Sequence, residues 1–234
     1  MYGGITFLGW FHTILGIAAI LTGLFLLIKE NFILWCLVKV SANKNLPDVL
    51  LFFSLILFNI CIMLKVAFDK SYKHPLNENH RFPMIKYDLI PEQLLRENTC
   101  NHENFFSPSP LEDNLALLTH CEYYYKRFSS LLLTKKEIRP IGFPMSRELV
   151  YREKKIAKGT IECVDFSIKN GISMNIAGGT HHAFRDRGEA FCMLNDQAIA
   201  ANYLLENNKV NKILIVDLDV HQGNGTASIF KENK

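Results

Sequence analysis

The chain opens with long apolar stretches that carry no charge and continues with shorter alternating and amphipathic ones. Ile5 to Ile28 contains no charged residue, and Val49 to Leu64 is again charge-free. A helix rises about 1.5 Å per residue, so the first run can span the ~30 Å hydrocarbon core of a bilayer. The pattern predicts a hydrophobic membrane segment over residues 1–62 with two transmembrane helices, joined by a connector from Asn31 to Asp48. Gly9, Gly16 and Gly23 fall near one face of the first helix, where small residues let another helix approach closely. A buried soluble helix is the alternative for the second run.

From Met63 the pattern changes. Met63 to Asp69 reads as a short strand. Met84 to Leu89 starts a helix that is interrupted before Pro91 and restarts there. Asp113 is placed to cap residues 114–120. Glu122 to Phe128 reads as a helix on which Tyr123, Tyr124 and Tyr125 pack. Ser146 can cap a long helix that ends at Gly171. Ile172 to Ala177 reads as a strand. Asn195 or Asp196 caps a helix through Leu205, with Ala198, Ala201 and Leu205 on one face. Ile213 to Val216 has the length and β-branching of a strand buried on both faces. Strand, helix and strand in this spacing predict an α/β fold with a parallel sheet and flanking helices.

Composition narrows the function. The formal net charge is +3, from 26 Lys+Arg against 23 Asp+Glu. That balance gives no basic surface, and no direct nucleic-acid binding is expected. The 6 cysteines form no C-x-x-C pair, which suits free thiols in a reducing compartment.

The candidate chemistry sits at the ends of two predicted strands. Side chains alternate along a strand with a period of two, so Asp217, Asp219 and His221 are expected to share a face. A carboxylate and an imidazole there make half of a zinc or iron site. The strand at 172–177 runs into Gly178-Gly179 and the paired histidines His181 and His182. Open α/β sheets bind ligands at the carboxyl ends of their strands.

Three motifs then carry a resemblance. They are Gly178-Gly-Thr-His-His-Ala-Phe184, Gly188-Glu-Ala-Phe-Cys-Met-Leu-Asn-Asp196 and Asp217-Leu-Asp-Val-His-Gln-Gly-Asn-Gly225. In this order they resemble the histone deacetylase superfamily, which includes bacterial acetoin-utilisation proteins and acetylpolyamine amidohydrolases. The resemblance covers residues 63–234 and implies an arginase/deacetylase-like fold. It implies zinc-dependent removal of acetyl groups from lysine or other acetylated amines. Asp219 and His221 would ligate the zinc. His181 and His182 would serve as general base and acid. Asp217 would orient His181, and its position also helps bind potassium in the family. Asn224 would pair with His182, where many eukaryotic members carry Asp. Phe191 would line the tunnel for the lysine stem, with Ala190 and Gly179 beside the substrate. Arg81 matches an arginine near the acetate exit path.

Two departures accompany the match. Ala190 stands where the family usually has Gly. The family's third metal ligand, its transition-state tyrosine and its glycine-rich closing loop lie further along than Lys234. The expectation is therefore a truncated catalytic domain with little activity of its own, held at a membrane by residues 1–62 and facing the cytoplasm. A second reading is a membrane-tethered, non-catalytic remnant that serves as a binding module. A third, a ureohydrolase of the arginase type, fits less well because Gln222-Gly223 follows His221.

Overall fold

Parallel pairing of three short strands organises the part of the chain that the computed structural model describes, residues 64–232. The elements are β1 (Lys65–Ala67), α1 (Lys86–Arg96), β2 (Phe105–Phe106), α2 (Asp113–Ala116), α3 (Glu122–Ser129), α4 (Lys135–Ile141), α5 (Arg147–Asn170), β3 (Ser173–Asn175), α6 (Asp196–Glu206) and α7 (Asn224–Phe230). The strand order is β2-β1-β3. Val66 sits opposite Phe105 on one side and Met174 on the other. Both neighbours are parallel to β1, so each connection crosses over through helices, as an α/β fold requires.

Helix α5 carries the sheet. Ser146 Oγ accepts from Leu149 N at 3.1 Å at its start, and Gly171 at φ 93° closes its end. Leu149, Ile156, Ala157 and Ile161 are buried along its inner face. Gly159 is the point of closest approach, because a Cβ there would come within 2.7 Å of the Tyr72 hydroxyl. Tyr72, Tyr125, Phe128 and Phe143 join these residues in one core cluster.

Several local expectations are corrected. Helix α1 runs unbroken through Pro91, which is buried together with Tyr87. Packing of that face outweighs the one backbone bond that proline removes. Asp113 does not cap α2. It accepts instead from Tyr125 Oη at 2.6 Å and Lys154 Nζ at 2.7 Å. Helix α4 has no counterpart in the sequence reading, although Thr134 and Glu137 form a full capping box at its start.

Two larger corrections concern the fold class. Residues 213–216 do not pair as a strand. No backbone hydrogen bond joins residues 210–218 to the sheet among the described residues. Leu214 is 85 % exposed and Val216 65 % exposed, while Ile213 and Ile215 are half-buried. With no strand beside it among the described residues, the segment is covered on one face only. The transmembrane part of the expected fold class has no counterpart here: among the described residues, no helix is long and apolar enough to cross a membrane. The runs Ile5 to Ile28 and Val49 to Met63, on which the membrane expectation rests, lie outside the described residues.

Candidate active site

Loop 178–182 leaves the end of β3 and is held from below by one carboxylate. Asp196, 1 % exposed at the start of α6, accepts from Thr180 N at 2.7 Å, Thr180 Oγ1 at 2.6 Å and Thr160 Oγ1 at 2.6 Å. It also accepts from Gly179 N at 3.1 Å. Its neighbour Asn195 caps α6 through Ala198 N at 3.0 Å and donates to Ala183 O and Thr226 Oγ1, both at 3.0 Å. The two residues clamp the histidine loop from both sides.

Each histidine is then aimed by its Nδ1. His181 Nδ1 lies 2.7 Å from Asp217 Oδ2, and His182 Nδ1 lies 2.7 Å from Asn224 Oδ1. Carboxylate and amide oxygens only accept, so each Nδ1 carries a hydrogen and Nε2 is the atom through which each ring can take up or give a proton. Asn224 keeps its oxygen toward His182 because its Nδ2 faces Glu189 Oε1 at 3.3 Å. The two rings are 4.2 Å apart. The hydrogen bond from His181 holds the Asp217 carboxyl below the usual carboxylate range. Gly223 makes this possible, since a Cβ there would collide with Asp217 Oδ2.

Asp219 Oδ1 and His221 Nδ1 lie 2.9 Å apart. The backbone N–H of His221 holds the Asp219 carboxyl low and ionised. Two donors of a tetrahedral zinc at about 2.0–2.1 Å stand roughly 3.3 Å from each other, so this pair is close to the bite such an ion needs. A catalytic zinc normally has three protein ligands. Among the described residues no group of three His, Cys, Asp or Glu side chains gathers for a metal, so the site offers two donors.

A cavity of about 500 Å³ joins these groups. Gly179, His181, His182, Asp219 and His221 line it together with Ala190, Phe191 and Arg81. Asp217 does not share that face with Asp219, as alternation had predicted. It lies behind His181, on a second cavity of about 600 Å³. The extended geometry gives way at residues 219–221, which bend.

Phe191 enters the cavity from a two-residue hairpin. Glu189 and Cys192 exchange both backbone hydrogen bonds at 2.9 Å, and Ala190 and Phe191 sit at φ 44° and 67°. That is a type I′ turn, which favours Gly at its centre. The methyl of Ala190 therefore bears on the backbone conformation as well as lining the cavity. Phe143, Phe82 and His80 surround the Phe191 ring at 4.9, 5.1 and 5.9 Å. Arg81 Cζ lies 4.8 Å from the Phe191 ring centroid. Gly142 leaves room for the ring, since a Cβ there would meet Cε1 at 2.9 Å. Cys192 is no nucleophile, because burial pushes its thiol up to about 12.

Sequence reasoning missed Asp196 as a clamp, and also Lys86 and Arg152, which line the same cavity. Asp196 ends the second motif, and its place in that motif was the available signal. Lys86 and Arg152 carried none, since each reads as an ordinary helix-surface cation.

Comparison with known proteins gives a consistent result. Residues 80–234 match the histone deacetylase domain family. An uncharacterised protein of Picosynechococcus sp. is 39 % identical over 168 residues, covering 72 % of this chain and 56 % of its own length. The acetoin utilization protein AcuC of Staphylococcus aureus is 29 % identical over 178 residues, covering 70 % and 45 %. The crystal structure of an HDAC homologue complexed with SAHA superposes with a TM-score of 0.61 at 24 % identity, over 71 % of this chain and 47 % of that one. The chain thus spans about half the length of the curated relatives it matches.

Proposed function

Since this chain belongs to the histone deacetylase family, we propose that its site serves the zinc-dependent hydrolysis of acetylated lysine or a related acetylated amine. The observation that carries the reading is the pair of histidines held by Nδ1 beside a two-donor metal pair. When bound, zinc polarises an amide carbonyl and lowers the pKa of its water toward ~7. Asp219 Oδ1 and His221 Nδ1 would hold it. His181, fixed in one tautomer by Asp217, would take a proton from water at Nε2. His182, held by Asn224, would hand a proton to the departing amine. Phe191 would grip the aliphatic stem. The potassium position expected around Asp217 belongs to the same proposal.

The test combines zinc binding and acetate release from an acetyl-lysine peptide on the full chain. His221→Ala is expected to lose zinc. His182→Ala is expected to keep zinc and lose hydrolysis. Hydrolysis undiminished by both replacements would overturn the assignment. A second reading is a module that binds acetylated ligands without turning them over. It predicts peptide binding with no acetate released.

A further inference from the structure

The deep part of the cavity is positively charged. Burial orders its lining: Arg81, Asp219 and His221 are exposed at the mouth, while Tyr87, Arg152 and Cys192 are 4 %, 2 % and 6 % exposed. The Tyr87 ring carries two cations, with Lys86 Nζ and Arg152 Cζ each 5.1 Å from its centroid. Lys86 Nζ also lies 4.6 Å from the Phe82 ring centroid. Aromatic faces attract cations but do not neutralise them.

Carboxylates answer this charge poorly. The lining carries Arg81, Lys86 and Arg152 against the single acid Asp219, and Asp219 is engaged with His221. Among the described residues, no ion pair forms on Lys86 or Arg81, while Arg152 is paired with Glu153. That pair answers the charge of Arg152 from one side and leaves Lys86 without an ion-pair partner among the described residues. Burial, and then the charge of Arg152, push the Lys86 ammonium below its ordinary value. Lys86 is half-buried; partial desolvation of a cation without an ion pair carries a cost, and an arriving anion relieves it through charge-assisted hydrogen bonds. The volume of about 500 Å³ lies in the range that encloses whole drug-sized ligands, more than an acetyl group needs.

We propose that the cavity takes an acyl group that itself ends in a carboxylate, such as the succinyl or glutaryl amide of lysine, with the distal carboxylate at Lys86 and Arg152. This rests on the hydrolase reading above for the amide end. Water adds to the amide carbonyl, the C–N bond breaks, and the amine leaves with a proton. The products are free lysine amine and a dicarboxylate.

The experiment measures binding, so it does not depend on turnover. The full chain is titrated calorimetrically, in a carboxylate-free buffer, with peptides of one sequence bearing succinyl-, butyryl- or acetyl-lysine. Succinyl-lysine is expected to bind at least about tenfold tighter than acetyl-lysine. Lys86→Gln, a half-buried position in the first turn of α1, is expected to bring that ratio to within about threefold of unity. Butyryl-lysine binding as tightly as succinyl-lysine would assign the preference to length and overturn the proposal. So would a preference that survives Lys86→Gln. Acetyl-lysine bound with no gain for succinyl-lysine sinks this inference alone. Failure of all three peptides to bind sinks the hydrolase reading with it.

Discussion

At the scale of single residues, the site depends on places where a side chain is barely tolerated. Ala190 adopts φ 44°, a left-handed conformation that costs an L-residue roughly 1–2 kcal/mol. Glycine removes that cost but gives back about 0.5–1 kcal/mol through its freer unfolded chain. Ala190→Gly should therefore stabilise the protein by about 0.5–1 kcal/mol, read as a higher urea midpoint at constant slope. Gly223 has the opposite sense. A methyl there collides with the Asp217 carboxylate, so Gly223→Ala should push Asp217 off His181. The expected cost is about 1–3 kcal/mol, and the Nδ1 hydrogen signal of His181 in an NMR spectrum should be lost. A variant that keeps that signal would show that the collision relaxes elsewhere.

At the scale of elements, helix ends carry the legible energy. Ser146 caps the 24-residue α5 through Leu149 N, and Ser146→Ala should cost about 1 kcal/mol by thermal or urea unfolding. Glu137 closes the α4 capping box and pairs with Arg127. Arg127 first, and then Thr134, hold its carboxyl at about 2 instead of 4.5. A depressed carboxyl contributes stability above its unfolded value and loses it as the pH falls through the folded one. The wild type should thus lose an increment between pH 4.5 and about 2 that Glu137→Gln has already lost, so their unfolding midpoints should converge in acid. These same elements show what the sequence could disclose. Ser146, Gly171 and Asn195 announced their helix boundaries because capping is local chemistry. Pro91 misled, because only the buried face it shares with Tyr87 overrides its local preference. His181, His182, Asp219 and His221 were legible through motif order. Asp196, Lys86 and Arg152 reach the site through contacts between distant elements, which no local pattern encodes.

At the scale of the whole molecule, the described residues leave an apolar line uncovered. Leu214, Val216, Leu218 and Val220 are 85 %, 65 %, 91 % and 91 % exposed, on a segment with no ladder bonds. Unpaired extended segments with exposed apolar side chains promote self-association. Leu218→Lys combined with Val220→Thr should reduce concentration-dependent light scattering while leaving the far-ultraviolet circular dichroism unchanged. The same segment delivers Asp217, Asp219 and His221, which gives its missing ladder a consequence in time. Amides of residues 213–218 have nothing among the described residues to protect them and should exchange with deuterium far faster than those of α5. An ion seated on Asp219 and His221 would have to hold that stretch still, and its affinity would be reduced by the ordering it imposes. Zinc should therefore slow exchange at 213–221 selectively, and the protection gained there would measure how much of the binding energy is spent on building the site.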